Sequence, residues 1–361
     1  MKDIQTNKGY FSALTGVRAI AAFMVYFHHF NPINKNIFGQ GVYDFFSELH
    51  IGVTLFFVLS GFLIAYRYYN LENINFKEYM INRFARIYPM YFLLTTITFL
   101  FFAILHAQYS FSDFKIYFLN ITFLRGFFND FKFTGVGQGW SLTVEEIFYI
   151  IAPLLFIVVK KSKLFLLALP ILILMTGFLL VYIFQDYSFY GLMKTQDFML
   201  DFTFFGRCIE FFIGISLAIF IKKFENLNFR VITYFGLFSI CFFVFLLSIL
   251  KVGDGYGTDC MFGKIINTLL LPLFGIAPLF IGLIFEKTLI SKILESRLFQ
   301  ILGKSSYVFY LIHMGIFVAV LNKIGENYIF HFVSLNIIAI ILYQCLELPV
   351  NNYLRTKFSS V

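Results

Sequence analysis

Charge is what this sequence has least of. Only 13% of its 361 residues are Asp, Glu, Lys or Arg, about half the share of a soluble domain. A water-soluble globule must show a polar surface, and 60% hydrophobic residues leave too little to make one. Cysteine is scarce and scattered: Cys208, Cys241, Cys260 and Cys345 form no CxxC pair, which excludes a zinc ribbon or disulfide framework. No long polar linker, low-complexity tract or clear internal repeat interrupts the chain, so a single membrane domain over 1–361 is expected. The first apolar run, from Ala19 behind Lys2 and Lys8, is not followed by a small-residue cleavage site and reads as a retained helix. A net charge of +8 would suggest nucleic acid in a soluble protein. Here the basic residues lie between apolar segments, with no Lys/Arg face for a duplex, so nucleic acid is not an expected partner.

What remains is a chain built for lipid, with a mean hydropathy of +0.81. Its 54 Phe and 22 Tyr suit lipid-facing and interfacial positions. Apolar runs long enough to cross a bilayer fall at 12–30, 51–66, 88–105, 141–159, 164–184, 204–221, 231–250, 265–285, 305–321 and 331–348. The expected fold is therefore all-α, a polytopic transmembrane bundle of about ten spans. A Phe-rich stretch at 111–128 reads as a re-entrant or interfacial helix. Basic residues concentrate in alternate connections, with Arg67, Lys77, Arg83 and Arg86 in one and Lys160, Lys161 and Lys163 in the next. By the positive-inside rule both termini are expected in the cytoplasm.

In a bilayer the informative residues are the ionisable ones, because each costs about 2.5–3.5 kcal/mol at mid-helix and tends to face a cavity. Arg18 and His29 are eleven residues apart, almost three full turns, and share one helical face about 16 Å apart; His28 is rotated roughly 100° away. Arg83 and Arg86 form a two-pronged cationic face suited to phosphates, though simple topological anchoring accounts for them equally. Trp140, the only tryptophan, and Ser141 open a span that carries the adjacent acids Glu145 and Glu146. Acids near a helix start are favoured by its dipole, so capping competes with chemistry there. Arg207 and Glu210 read as an internal i,i+3 ion pair. His313 lies on a span with Tyr307 and Tyr310, as a core or a catalytic histidine. Ser60-Gly61 reads as close helix packing. No ligand cluster for a metal is apparent.

Five segments, in order, resemble the membrane-bound acyltransferase-3 family, whose bacterial members include O-antigen and other polysaccharide O-acetyltransferases. They are Leu14-Thr15-Gly16-Val17-Arg18 with His29; Gly52 to Leu63 (GVTLFFVLSGFL); Arg83-Phe84-Ala85-Arg86-Ile87-Tyr88-Pro89; Trp140 to Tyr149 (WSLTVEEIFY); and Ser306 to His313 (SYVFYLIH). The resemblance implies transfer of an acyl group, usually acetyl, from cytoplasmic acetyl-CoA or another acyl-CoA to a hydroxyl of a cell-surface or lipid-linked glycan, at the bacterial inner membrane. It implies His29 as general base, Arg18 and Glu145 in the catalytic group, and Arg83 and Arg86 on the CoA phosphates. Trp140, Ser141, Glu146, Tyr310 and His313 are further candidates. Some relatives carry an extracytoplasmic SGNH domain, which this sequence is expected to lack. The competing reading is a glycan transporter or flippase, since intramembrane charges also mark transport paths.

Overall fold

The computed structural model describes residues 11–106, 111–224 and 230–358. Lys2 and Lys8, named above beside the first apolar run, lie outside them. Among the described residues there is no β-strand, and eight helices are long and apolar enough to cross a membrane. The first helix is α1 (Ser12–His29). The spans are α2 (Gln40–Tyr68), α3 (Phe76–Ile104), α4 (Gly137–Lys161), α5 (Phe165–Phe184), α6 (Gln196–Lys223), α7 (Ile232–Leu250) and α8 (Met261–Phe285). Then come α9 (Arg297–Ile312) and α10 (Ile316–Asn322), bent by 85° into one broken span, and α11 (Tyr328–Phe358). Nine of the ten expected segments fall on the eight spans and the bent pair. The tenth, 12–30, is helical, but Arg18, His28 and His29 leave α1 less apolar than the others. The Phe-rich stretch forms a short helix, Phe111–Ile121, and a tight turn, Leu124–Phe127.

The chain forms two compact units, each made of separated stretches. The first comprises 1–72 and 210–304, with α1, α2, the second half of α6, α7, α8 and the start of α9. Its helices meet backbone to backbone through glycine. A Cβ on Gly61 would strike the Phe211 carbonyl oxygen, and one on Gly214 would strike that of Val58. Small residues here let α2 and α6 approach closely, where dispersion and packing hold helices together in lipid. Asn267, in a π-turn of α8, accepts the Thr54 hydroxyl at 2.7 Å inside this unit. Glu286, just past α8, caps the first turn of α7. Its carboxylate accepts the N–H groups of Ile232 (2.8 Å) and Thr233 (2.9 Å) and the Thr233 hydroxyl. Burial pulls this carboxyl up, but those bonds outweigh it and hold it below the ordinary value.

The second unit comprises 73–209 and 305–361. Here α9 ends at Ile312, and the chain turns through Gly315, at φ 77°, into α10. Breaking a helix inside a membrane frees carbonyls that water cannot reach, so the protein must satisfy them. The Gln138 amide does this, donating to the carbonyls of Tyr310 (2.8 Å) and Leu311 (2.7 Å). His313 adds a bond from Nδ1 to the Tyr310 carbonyl at 2.7 Å.

Candidate active-site residues

In the first unit, α1 delivers a histidine pair at its end. His29 is exposed and His28 half-buried, their rings 4.6 Å apart and edge-on. His28 Nδ1 lies 2.5 Å from the Ser47 carbonyl oxygen. A carbonyl only accepts, so Nδ1 carries the proton, and Nε2 is the lone-pair nitrogen of the neutral ring. The His28 ring also packs on His50 (5.3 Å) and Tyr256 (5.1 Å), and His50 on Tyr256 (5.7 Å). Below them Glu48 is fully buried. One carboxylate oxygen accepts the Gly257 N–H at 2.8 Å, and the other lies 3.7 Å from His50 Nδ1. At the rim Lys251 pairs with Asp44 at 2.8 Å, and Lys35 sits 4.2 Å above the Tyr43 ring. Burial alone pulls the Lys251 ammonium down, but Asp44 and the neighbouring negative charge hold it above its ordinary value. Arg18, half-buried, stands on α1 eleven residues before His29, as the spacing predicts.

The remaining sequence candidates lie in the second unit. Ser141 and Tyr310 are both buried, and their hydroxyls meet at 2.9 Å. The Ser141 hydroxyl also contacts the Gln138 carbonyl at 3.0 Å. His313 is fully buried, and its Nδ1 proton is spent on the broken helix. Trp140 packs edge-on against Phe202, 5.0 Å between centroids. Glu145 accepts the hydroxyl of Tyr149, one turn along α4. The Arg83 guanidinium lies 5.9 Å from the Tyr149 ring, and Glu146 is within electrostatic reach of Arg83 and Glu145. Arg86 is within reach of Glu347, a buried acid closing a π-turn of α11. Arginines and acids therefore share one neighbourhood of this unit.

Sequence reasoning passed over several of these residues. Glu48 and His50 precede the apolar run it assigned to the second span and read there as boundary residues. Gln138, in Gly137-Gln138-Gly139, carries no signal of its own in the sequence. Arg125 lies between apolar runs, where a solvated loop charge is the ordinary reading, yet it is fully buried. It donates to Asn120 Oδ1 (2.8 Å) and to the carbonyls of Val136 (2.6 Å) and Thr134. It thus ties down the loop that leads into α4, and Gly139 leaves room for its guanidinium. Among the described residues no group of three or more His, Cys, Asp or Glu is placed to hold a metal ion.

Comparison with known proteins adds the family. Over 330 residues the chain is 27% identical to a protein of Staphylococcus aureus (strain COL) to which O-acetyltransferase activity is attributed, covering 85% of this chain and 50% of that one. A protein of the Acidianus two-tailed virus, with acetyltransferase activity attributed to it, is 32% identical over 161 residues, 43% of this chain and 44% of its own. The peptidoglycan O-acetyltransferase OatA of Listeria monocytogenes is 25% identical over 181 residues, 44% of this chain and 27% of the listerial one. The chain thus spans about half the length of its staphylococcal relatives. No solved structure is significantly similar to it. The model of the acyltransferase domain, Acyl_transf_3, matches residues 11–346, from the start of α1 into α11, so this multi-pass membrane chain belongs to the acyltransferase-3 family.

Proposed function

We propose that the protein transfers an acetyl group from a cytoplasmic acyl-CoA to a hydroxyl of a cell-surface or lipid-linked glycan, at the inner membrane of a bacterium with both termini in the cytoplasm. The observation that carries this reading is the family match across 11–346, joined to a histidine pair at the exposed end of α1. The glycan acceptor is supported by the listerial relative, whose name gives peptidoglycan as its acceptor.

A sugar hydroxyl is a weak nucleophile at neutral pH, and a neutral imidazole raises its reactivity by taking the proton during attack. His29 is assigned that role. The new C–O bond forms as the thioester C–S bond breaks, the hydroxyl proton passes to His29, and the CoA thiolate leaves and takes it up. Arg18, on the same face of α1, orients the donor or balances its charge. Arg83 and Arg86 bind the CoA phosphates, in competition with the acids around them. Glu145, itself held by the Tyr149 hydroxyl, orients a histidine or binds the acceptor, and Ser141, Tyr310 and His313 hold the broken helix in place. No metal enters the scheme.

The test is expression of wild type and His29→Ala, at equal membrane levels, in a glycan-producing host lacking its own enzyme. Mass spectrometry of the surface glycans should find an acyl increment with wild type and none with the variant. An increment that survives His29→Ala removes the general-base assignment. No increment from wild type, with glycan export altered instead, favours a flippase. Competition of the purified protein for labelled acetyl-CoA, weakened at least tenfold by Arg83→Ala, tests the donor.

A further inference from the structure

The turn between α7 and α8 does something the proposed chemistry does not use. Residues 251–260 are polar and glycine-rich, yet they hold a large aromatic ring, Tyr256, against His28 and His50. The backbone beneath that ring is fixed twice. Its own N–H donates to the Asp259 carboxylate at 2.7 Å, and the next N–H, of Gly257, donates to Glu48 at 2.8 Å. Glu48 is wholly buried. A buried carboxylate is costly, and here it anchors one loop amide beside the histidines. The residue so positioned is 42% exposed, so part of it is open to a ligand.

We propose that Tyr256 is an acceptor-binding residue, its ring being the platform on which a sugar ring of the glycan stacks beside the His28–His29 pair. The proposal rests on the acetyl-transfer reading and names the part of that site which receives the acceptor. The chemistry matches on both sides. A pyranose presents C–H groups on its faces and hydroxyls on its edge. The exposed face of an aromatic ring takes the first, and a polar rim takes the second. Around Tyr256 that rim is His28 and His50, with Lys251, Glu48, Asp259 and Tyr43 within electrostatic reach. His29 is one ring farther on, 4.6 Å from His28. A hydroxyl on the edge of a sugar stacked over Tyr256 therefore lies in the direction of the proposed base. By the charge bias of the connections, this turn and the start of α2 both belong to the outer side, where surface glycans are.

The experiment uses the full chain in nanodiscs and, as probe, the soluble N-acetylglucosaminyl–N-acetylmuramyl disaccharide. Binding is read by saturation-transfer NMR and titration calorimetry, and transfer by mass spectrometry. Tyr256→Ala should weaken disaccharide binding about tenfold and raise the acceptor KM by a similar factor, with kcat within about twofold of wild type. Tyr256→Phe and Tyr256→Trp should bind like wild type. Tyr256→Leu keeps an apolar body without a ring face, so it should lose affinity like Tyr256→Ala even if the smaller side chain loosens the turn. Alanine and leucine variants that fold and bind as tightly as wild type overturn the platform while leaving the acetyltransferase reading intact. A wild type that neither binds nor acetylates the disaccharide overturns the acceptor assignment and the platform with it.

Discussion

Replacing Gln138 with Met tests how the broken span is held. Methionine has nearly the same length and volume, so packing changes little and the loss reports on hydrogen bonds. The Gln138 amide caps two carbonyls, Tyr310 at 2.8 Å and Leu311 at 2.7 Å. Two magnitudes compete. Side-chain hydrogen bonds between membrane helices average only about 0.6 kcal/mol, because the unfolded helices in the membrane find other partners. On that basis the change costs about 1 kcal/mol. A buried polar group left without a partner costs about 1–3 kcal/mol, giving about 2–6 kcal/mol for two. The structure favours the larger range. Both carbonyls sit where α9 ends, so no continuing helix can bond to them, and both residues are buried. His313 still serves the Tyr310 carbonyl, which leaves Leu311 as the main loss and centres the expectation near 2–3 kcal/mol. Denaturant unfolding in mixed micelles, followed by tryptophan fluorescence from neighbouring Trp140, reads it directly. A Gln138→Met protein within about 0.5 kcal/mol of wild type would refute the argument that the amide satisfies the break.

Two further perturbations follow from the same reasoning. Glu286 has a carboxyl held below its ordinary value, so its contribution is fully present above the unfolded-state value of about 4.3 and is lost as pH falls through the folded value. Glu286→Gln should therefore flatten the acid limb of a stability-versus-pH curve measured between pH 3 and 7, and an unchanged limb would remove the capping assignment. Gly61→Leu places a side chain where the Phe211 backbone lies. It should destabilise the first unit by at least about 1–3 kcal/mol, seen as a lower unfolding midpoint or loss of folded yield, whereas the same change at Gly41, with open space around it, should be silent.

The fold class was legible because lipid leaves a coarse signature: nine apolar runs became eight spans and one bent pair. Packing by Ser60-Gly61 was legible too, since a small residue in an apolar run has few other uses. Helical periodicity sets His28 and His29 on different faces of α1, and in the structure His29 is exposed while His28 is tied to Ser47. Periodicity describes one helix at a time, however. The neighbours of His28 come from the first turns of α2 and from the turn after α7, more than 200 residues away in the case of Tyr256. Nothing local announces such a meeting. The bend after Ile312 was hidden for a related reason. The run 305–321 reads as one span despite Ser305, Ser306 and His313, and what breaks it is Gly315 together with the distant Gln138 amide that satisfies the freed carbonyls.

That amide also sets an order of events during biogenesis. Gln138 is made 172 residues before the first carbonyl it serves. At about 5–20 residues per second, roughly 9–35 s of synthesis separate the donor from its acceptor. Throughout that interval α4 is in the membrane with an amide awaiting its partner, and α9 cannot take its bent form until it reaches α4. On this order of synthesis α9 and α10 insert as a straighter segment and bend on docking against α4. A ribosome-stalled chain ending before residue 310 would carry an open second unit, recognisable to the quality-control proteases of the membrane.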